Sequence, residues 1–257
     1  MKFRFGCGIG SVILAGVLVA GAENPPKDST GVKTVVVLGD SLAAGLGVAR
    51  EEAFPALLQK KIDAVGLRWR VVNAGVSGDT SADGLGRVDW VLKRPVDVLI
   101  LELGANDGLR GLPPSATRTN LQAIIDRVKQ VYPRARIVIA GMQMPPSMGE
   151  DYTAAFQKVF PSLAASNHAA LVPFLLEGVG GKRDLNQTDQ IHPTAKGHQV
   201  VADNVWKVLR PVLEERSRSN LEEGWQRAAE FAAFQPSRRR SVAASAVGGW
   251  QAVPEHR

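Results

Sequence analysis

The chain alternates between short apolar runs and longer segments in which apolar and polar residues mix. The apolar runs have the length and β-branched content of buried strands, and they cover residues 34–38, 70–73, 96–103, 136–140 and 169–173. The mixed segments have the length of helices and cover residues 51–65, 81–93, 116–131, 152–166 and 194–213. Strands that alternate with helices form a parallel sheet covered on both faces. The pattern therefore predicts an α/β protein, a three-layer αβα sandwich with five parallel strands.

Both ends of the chain depart from this pattern. Lys2 and Arg4 precede an apolar stretch at residues 5–20, and small residues follow up to Ala22. This order is typical of a cleaved signal peptide at residues 1–22, with an uncleaved membrane anchor as the alternative. We predict a linker at residues 23–32, one folded domain at residues 33–215, and a basic Ala/Arg-rich tail at residues 216–257. In the tail we expect a short helix near residues 221–234 and then disorder.

Composition limits the classes of function that fit. The chain has 257 residues and a net charge of +6. Residues 1–22 carry +2 and residues 216–257 carry +3, which leaves +1 for residues 23–215, the predicted linker and domain together. A nearly neutral domain gives no electrostatic case for nucleic-acid binding. The single cysteine, Cys7, lies in the predicted signal, so no disulfide is expected in the mature chain. We expect a monomeric periplasmic or secreted protein, membrane-anchored if the signal is not cut.

Polar, glycine-rich segments follow three of the predicted strands, at residues 39–42, 73–79 and 104–108. Ligands of open α/β sheets bind beyond the carboxyl ends of the strands. A fourth segment places Asp189 three residues before His192, a spacing at which the carboxylate can reach Nδ1 of the imidazole. The sequence contains no His-Glu-x-x-His and no cysteine cluster. We therefore expect no metal and no cofactor.

These segments carry four blocks in which the chain resembles the SGNH or GDSL hydrolases, and among them the bacterial thioesterase I/arylesterase group. The blocks are Gly-Asp-Ser-Leu at 39–42, Ser-Gly-Asp-Thr at 77–80, Glu-Leu-Gly-Ala-Asn-Asp-Gly-Leu-Arg-Gly at 102–111 and Ile-His-Pro at 191–193. The resemblance extends over residues 35–209 and implies a flavodoxin-like SGNH hydrolase fold. It also implies a serine esterase that forms an acyl-serine intermediate.

The resemblance assigns roles that ester hydrolysis itself requires. Ser41 is the expected nucleophile, His192 its general base and Asp189 the orienting acid, because a serine hydroxyl needs a base within hydrogen-bond reach. The expected oxyanion hole consists of the Ser41 and Gly78 N–H groups and the Asn106 amide. Each role has a structural alternative. Ser41 could cap a helix, Asp189 could be a solvated loop acid, and Asn106 could stabilise a turn.

Other polar residues are expected to be structural. Asp40 is expected to hydrogen-bond beside the nucleophile, and Asp107 is expected to serve structure only. His168 and His198 have no metal-ligand partners at suitable spacing. Gln190 stands where relatives commonly have Gly, and Leu46 where many have an aromatic residue, which leaves the acyl preference open.

The loop at residues 141–151 resembles the substrate-lining loop of the thioesterase I group. Its expected substrate-binding residues are Met142, Met144, Pro145 and Met148, since methionines suit an adaptable apolar wall, although such a loop can also be plain packing. Residues 174–179 offer a second wall. We predict hydrolysis of short to medium acyl esters, aryl esters and thioesters included. The alternatives are a carbohydrate acetylesterase on the same fold and a catalytically silent SGNH-like binding module.

Overall fold

The computed structural model describes residues 31–234. Its centre is a five-stranded parallel sheet with strand order β2-β1-β3-β4-β5. The strands are β1 (Lys33–Gly39), β2 (Trp69–Gly75), β3 (Val98–Glu102), β4 (Arg136–Ala140) and β5 (Ala170–Val172). Gly39 at the end of β1 pairs in register with Gly75 of β2 and Glu102 of β3. The predicted parallel α/β sheet is confirmed, and the chain reverses its winding direction between β1 and β3, where such sheets bind ligands.

Eight helices belong to the described part of the chain. They are α1 (Ser41–Ala44), α2 (Phe54–Ala64), α3 (Ser81–Val91), α4 (Ala105–Leu109), α5 (Pro114–Val131), α6 (Glu150–Gln157), α7 (Val159–Asn167) and α8 (Ala195–Phe234). Two 3₁₀ turns cover Arg50–Glu52 and Pro146–Met148. Helix α2 packs on β2, while α5 packs on both α3 and α7. The short helices α1 and α4, which hydrophobic periodicity did not predict, directly follow strands β1 and β3.

Two predicted helices have different bounds for reasons of proline chemistry. The single helix expected at residues 152–166 is divided into α6 and α7 at Lys158. Pro161 has no N–H to donate to the Gln157 carbonyl, so the helical hydrogen bonds are interrupted there. Helix α5 begins at Pro114 rather than at residue 116, since the fixed φ of proline suits the first helical position.

The predicted break after residue 213 is wrong. Helix α8 continues to Phe234, although Pro211 lies inside it. Residues 214–220 contain Glu, Arg, Ser and Asn but neither Gly nor Pro, so nothing in them terminates a helix. Among the described residues, 31–210 belong to one compact unit and 211–234 to another. The predicted signal at residues 1–22 and most of the expected disorder beyond residue 234 lie outside the described residues. Within residues 31–234, no helix is long and apolar enough to cross a membrane.

A buried histidine joins the start of α8 to α2. His198 is 1% exposed, its Nδ1 accepts the Phe54 N–H at 3.3 Å, and its ring stacks on Phe54 with centroids 6.5 Å apart. Burial lowers the pKa of His198 from 6.5 to about 4. The folded protein therefore holds this imidazole neutral where the unfolded chain would protonate it.

We expect acid to destabilise the fold through His198. Because its folded pKa lies below its unfolded value, its contribution is complete above pH 6.5 and is lost as the pH falls toward about 4. The loss amounts to about 3 kcal/mol over that interval. Urea unfolding of wild type and His198→Asn, which keeps an acceptor for Phe54, should show this difference in pH dependence.

His168→Asn is the matched control, since it makes the same change at an exposed histidine whose left-handed φ of 51° asparagine tolerates. Its pH dependence should match wild type. Equal pH dependence in His198→Asn and wild type would contradict the assignment.

Candidate active site

The turn after β1 uses almost all of its N–H groups. Asp40 caps α1, and its Oδ1 accepts the Leu42 N–H at 3.0 Å. The Ala43 N–H donates to Glu102 Oε2 at 3.2 Å, and the Ala44 N–H donates to the Asp40 carbonyl. Within the described part of the chain, the Ser41 N–H alone among these has no acceptor. The turn thus presents the Ser41 hydroxyl and one free N–H together at the carboxyl edge of the sheet.

The loop before α8 brings the predicted acid and base to Ser41. His192 Nδ1 lies 2.6 Å from Asp189 Oδ2, and His192 Nε2 lies 2.9 Å from Ser41 Oγ. Nδ1–H donation to Asp189 leaves Nε2 as the acceptor of the serine proton. Ser41 is buried except for 8% of its surface. The three residues form one continuous hydrogen-bonded chain, the geometry in which a serine becomes a nucleophile.

The three-residue spacing is held by backbone hydrogen bonds as well. Asp189 Oδ1 accepts the N–H groups of Ile191 and His192 at 2.9 and 3.0 Å. The hydrogen bond from His192, followed by these two N–H groups, lowers the pKa of Asp189 to about 2. Gln190 closes the turn in a left-handed conformation with φ of 59°. Asp189 is therefore ionised near neutral pH and fixes the imidazole in orientation.

The two other predicted oxyanion donors lie in the loops after β2 and β3. Gly78 has a φ of 88°, which glycine adopts without strain, and its N–H has no acceptor in the described chain. Asn106 lines the same cavity as Ser41. Its Nδ2 donates to the Asp79 carbonyl at 2.9 Å and to Asp40 Oδ2 at 3.2 Å. Asp79 and Asp40 therefore set the plane of the Asn106 amide.

The ion pair between Arg87 and Asp79, which the sequence did not predict, links the ends of β1 and β2. Arg87 Nε contacts Asp79 Oδ2 at 2.6 Å, and both side chains are less than one fifth exposed. The same guanidinium donates to the Ala74 and Gly39 carbonyls at 2.7 and 2.9 Å. No motif marks Arg87, because it lies on a helix whose pattern of apolar residues reveals only which face is buried.

A second unpredicted residue is Glu102, the last residue of β3. It is fully buried, and Oε2 accepts the Asp40 N–H and Ala43 N–H at 3.2 Å each. A side chain at Gly39 would overlap this carboxyl oxygen, so Glu102 requires glycine there. Burial and the charge of Asp40 raise the pKa of Glu102 well above its usual range. Burial also raises the pKa of Asp40, to about 6.

Asp107 has the structural surroundings expected for it. Its carboxylate accepts hydrogen bonds from the Ser81 N–H at 2.7 Å, the Ser81 hydroxyl at 2.5 Å and the Thr117 hydroxyl at 3.2 Å. These contacts link α4 to the first turns of α3 and α5. Asp107 thereby fixes α4, which carries the neighbouring Asn106.

A cavity of about 600 Å³ opens beside Ser41 and His192. Its apolar lining comes from α4, the loop after β4, the segment after β5 and the His192 loop, and it includes Leu109, Met142, Met144, Pro145, Pro146, Phe174, Leu176 and Ile191. Three of the four predicted substrate-binding residues thus face the cavity. Met148, the fourth, belongs to the Pro146–Met148 turn and is not part of the lining.

Fold and site together define a class of enzyme, since a flavodoxin-like sheet with a Ser–His–Asp hydrogen-bonded chain at its carboxyl edge is the arrangement of SGNH hydrolases. Residues 37–200 match the model of the GDSL-like Lipase/Acylhydrolase family. The chain belongs to that family, and it is a carboxylic ester hydrolase. The named relatives are an esterase and a thioesterase, which favours an enzyme over the alternative of a silent binding module.

Relatives of known name agree with this membership. The chain is 42% identical over 182 residues to "Esterase TesA" of Pseudomonas aeruginosa, covering 70% of this chain and 90% of that one. It is 39% identical to "Thioesterase 1/protease 1/lysophospholipase L1" of Escherichia coli K12, covering 72% and 86%. The crystal structure of AlinE4, an SGNH-hydrolase family esterase, superposes with a TM-score of 0.59 at 38% identity, covering 71% and 97%.

Proposed function

We propose that this enzyme hydrolyses acyl esters through a covalent acyl-Ser41 intermediate. Ser41 Oγ attacks the acyl carbonyl carbon while its proton passes to His192 Nε2, and Asp189 stabilises the resulting imidazolium. The tetrahedral oxyanion accepts hydrogen bonds from the N–H groups of Ser41 and Gly78, and from Asn106 once one Nδ2–H turns from Asp40 Oδ2, the longer of its two contacts, toward the oxyanion. The observation that carries this proposal is the continuous contact of 2.6 Å and 2.9 Å from Asp189 through His192 to Ser41.

The imidazolium then gives its proton to the leaving oxygen or sulfur, and the bond from that atom to the acyl carbon breaks. Water enters, His192 Nε2 takes one of its protons, and the hydroxide oxygen attacks the acyl carbon. Collapse of the second tetrahedral intermediate breaks the bond to Ser41 Oγ, which regains its proton from His192. One imidazole thus serves both half-reactions as base and then as acid.

Covalent labelling tests the nucleophile. A fluorophosphonate should phosphonylate Ser41 with loss of fluoride, and mass spectrometry should find the adduct on the peptide that contains Ser41. Ser41→Ala should lose labelling and about 10⁴-fold or more in kcat. Ser166→Ala, which removes an exposed hydroxyl of α7, should label and turn over like wild type. An adduct on another residue, or an active Ser41→Ala enzyme, would refute the mechanism.

We propose short to medium acyl chains as the acyl part of the substrate, in aryl esters and thioesters as well as alkyl esters. The cavity of about 600 Å³ is much larger than an acetyl group requires, and apolar side chains dominate its lining. The named esterase and thioesterase relatives support the same choice. The cavity gives no specific support to the alternative of a carbohydrate acetylesterase. Greater kcat/KM on acetylated xylan than on p-nitrophenyl butanoate would reverse this preference.

The Gly108–Met144 contact offers a test of the acyl cavity. A Cβ on Gly108 would overlap the Met144 side chain, which is flexible and lines the cavity. Gly108→Ala should push Met144 into the cavity and lower the ratio of kcat/KM for p-nitrophenyl octanoate to that for butanoate by about tenfold. Gly86→Ala is the matched control, because a Cβ there meets nothing within 4 Å, and its ratio should stay at the wild-type value. An unchanged ratio in Gly108→Ala would place the acyl chain elsewhere.

We further propose that residues 1–22 direct export and are removed after Ala22, which would make the enzyme periplasmic or secreted. The support is the order of charged, apolar and small residues in this segment. After expression in a Gram-negative host, the periplasmic or extracellular protein should begin at Glu23 by intact-mass and N-terminal analysis. Full-length protein in the membrane fraction would favour the uncleaved anchor.

A further inference from the structure

Two carboxyl groups lie side by side beneath the nucleophile. Asp40 and Glu102 are both 0% exposed, and they lie in direct contact, since the Asp40 N–H donates to Glu102 Oε2 at 3.2 Å. Asp40 accepts the Leu42 N–H on Oδ1 and the Asn106 amide on Oδ2. Glu102 accepts two N–H groups on Oε2, whereas its buried Oε1 accepts none from the described residues. A carboxyl–carboxyl hydrogen bond requires a proton on one of the two groups.

Among residues 31–234, the charged groups around the pair do not supply a cation to neutralise a second negative charge. Asp79 faces Asp40 as a further carboxylate, and the Arg87 guanidinium is engaged with Asp79 and two carbonyls. His192 is the remaining nearby group, and it carries positive charge only when protonated. Two adjacent buried carboxylates repel each other in a medium of low dielectric. The pair therefore holds one proton and one negative charge.

Hydrogen-bond partners identify which residue carries the proton. Both Asp40 oxygens face N–H donors, which stabilise a carboxylate. Glu102 Oε1 faces no donor, which is the environment of a carboxyl oxygen that bears hydrogen. Burial also raises the pKa of Glu102 well above its usual range. At neutral pH, Glu102 is the acid and Asp40 is the anion.

We propose that Glu102 is a positioning residue, and that its neutral carboxyl group donates a hydrogen bond to the Asp40 carboxylate and holds it in place. Asp40 in turn caps α1, which bears Ser41, and orients the Asn106 amide. The proton also limits the buried pair to one negative charge. A second negative charge on the pair would repel the oxyanion that forms beside Ser41 and so destabilise the transition state. The inference rests on the acyl-serine mechanism proposed above.

Two substitutions at position 102 test whether the hydrogen bond to Asp40 matters or only the filling of the space. The amide of Glu102→Gln can accept the Asp40 and Ala43 N–H groups and donate to Asp40, so kcat should stay within about threefold of wild type. Glu102→Leu fills the space but neither donates to Asp40 nor accepts the Asp40 and Ala43 N–H groups. It should lose about 10²-fold in kcat with little change in KM, the size of effect seen when an oxyanion donor is displaced. If folded Glu102→Gln loses as much kcat as Glu102→Leu, the proposal is overturned. A Glu102→Leu enzyme with wild-type kcat would also overturn it.

Infrared spectroscopy tests the proton directly and does not depend on the folding of Glu102→Leu. At neutral pH the wild type should show the C=O stretch of a protonated carboxyl group, and Glu102→Gln should lack it. Asp89→Asn, a carboxyl-to-amide change in the exposed ion pair with Arg127, should retain it. A wild-type spectrum without this band would refute the protonated Glu102. Fluorophosphonate labelling of wild-type Ser41 is scored separately, so failure of the mechanism and failure of this inference remain distinguishable.

Discussion

Hydrogen bonding at the carboxyl end of β1 is the interaction on which the site depends. The strand is buried, so the N–H and carbonyl groups of the turn that follows it must find partners inside the protein. Asp40 and Glu102 take the N–H groups, and Arg87 takes the Gly39 carbonyl. Because these partners come from the turn itself, from β3 and from α3, the sheet and a covering helix both fix the turn. These hydrogen bonds thus fix the orientation of the Ser41 hydroxyl and of the Ser41 N–H.

The sequence predicted features that depend on neighbouring residues and missed those that depend on contacts between residues far apart in the chain. The strands, the loops after them and the Asp189–His192 turn follow from runs of a few neighbouring residues, and the observed sheet agrees with them. Glu102 and Arg87 were not predicted, because their roles depend on partners 59 to 62 and 8 to 48 residues away in the chain. An acidic residue ending an otherwise apolar strand was the available signal for Glu102. The division between α6 and α7 was also readable, from Pro161, whereas Pro211 did not end α8.

The polar groups that shape the site oppose the stability of the fold. A carboxyl group whose folded pKa is raised binds its proton more tightly in the folded state, so its contribution to stability falls as the pH rises from its ordinary pKa through the raised one. His198 acts in the opposite sense, since its contribution is lost as the pH falls. Buried titratable groups therefore limit stability from both sides of the pH scale. The apolar core of the sheet and helices must offset both effects.

The left-handed Gln190 has a consequence for the timing of the reaction. A glycine there would adopt this φ freely but would also give the loop many other conformations. Glutamine has fewer alternative backbone conformations. Its side-chain amide also donates to the Gln187 carbonyl at 2.9 Å, which joins the two ends of the turn. In the proposed mechanism, the imidazole that protonates the departing alcohol must still be in place when water arrives. In that mechanism, a loop with few accessible conformations would keep the imidazole beside the acyl group during the interval between the two half-reactions.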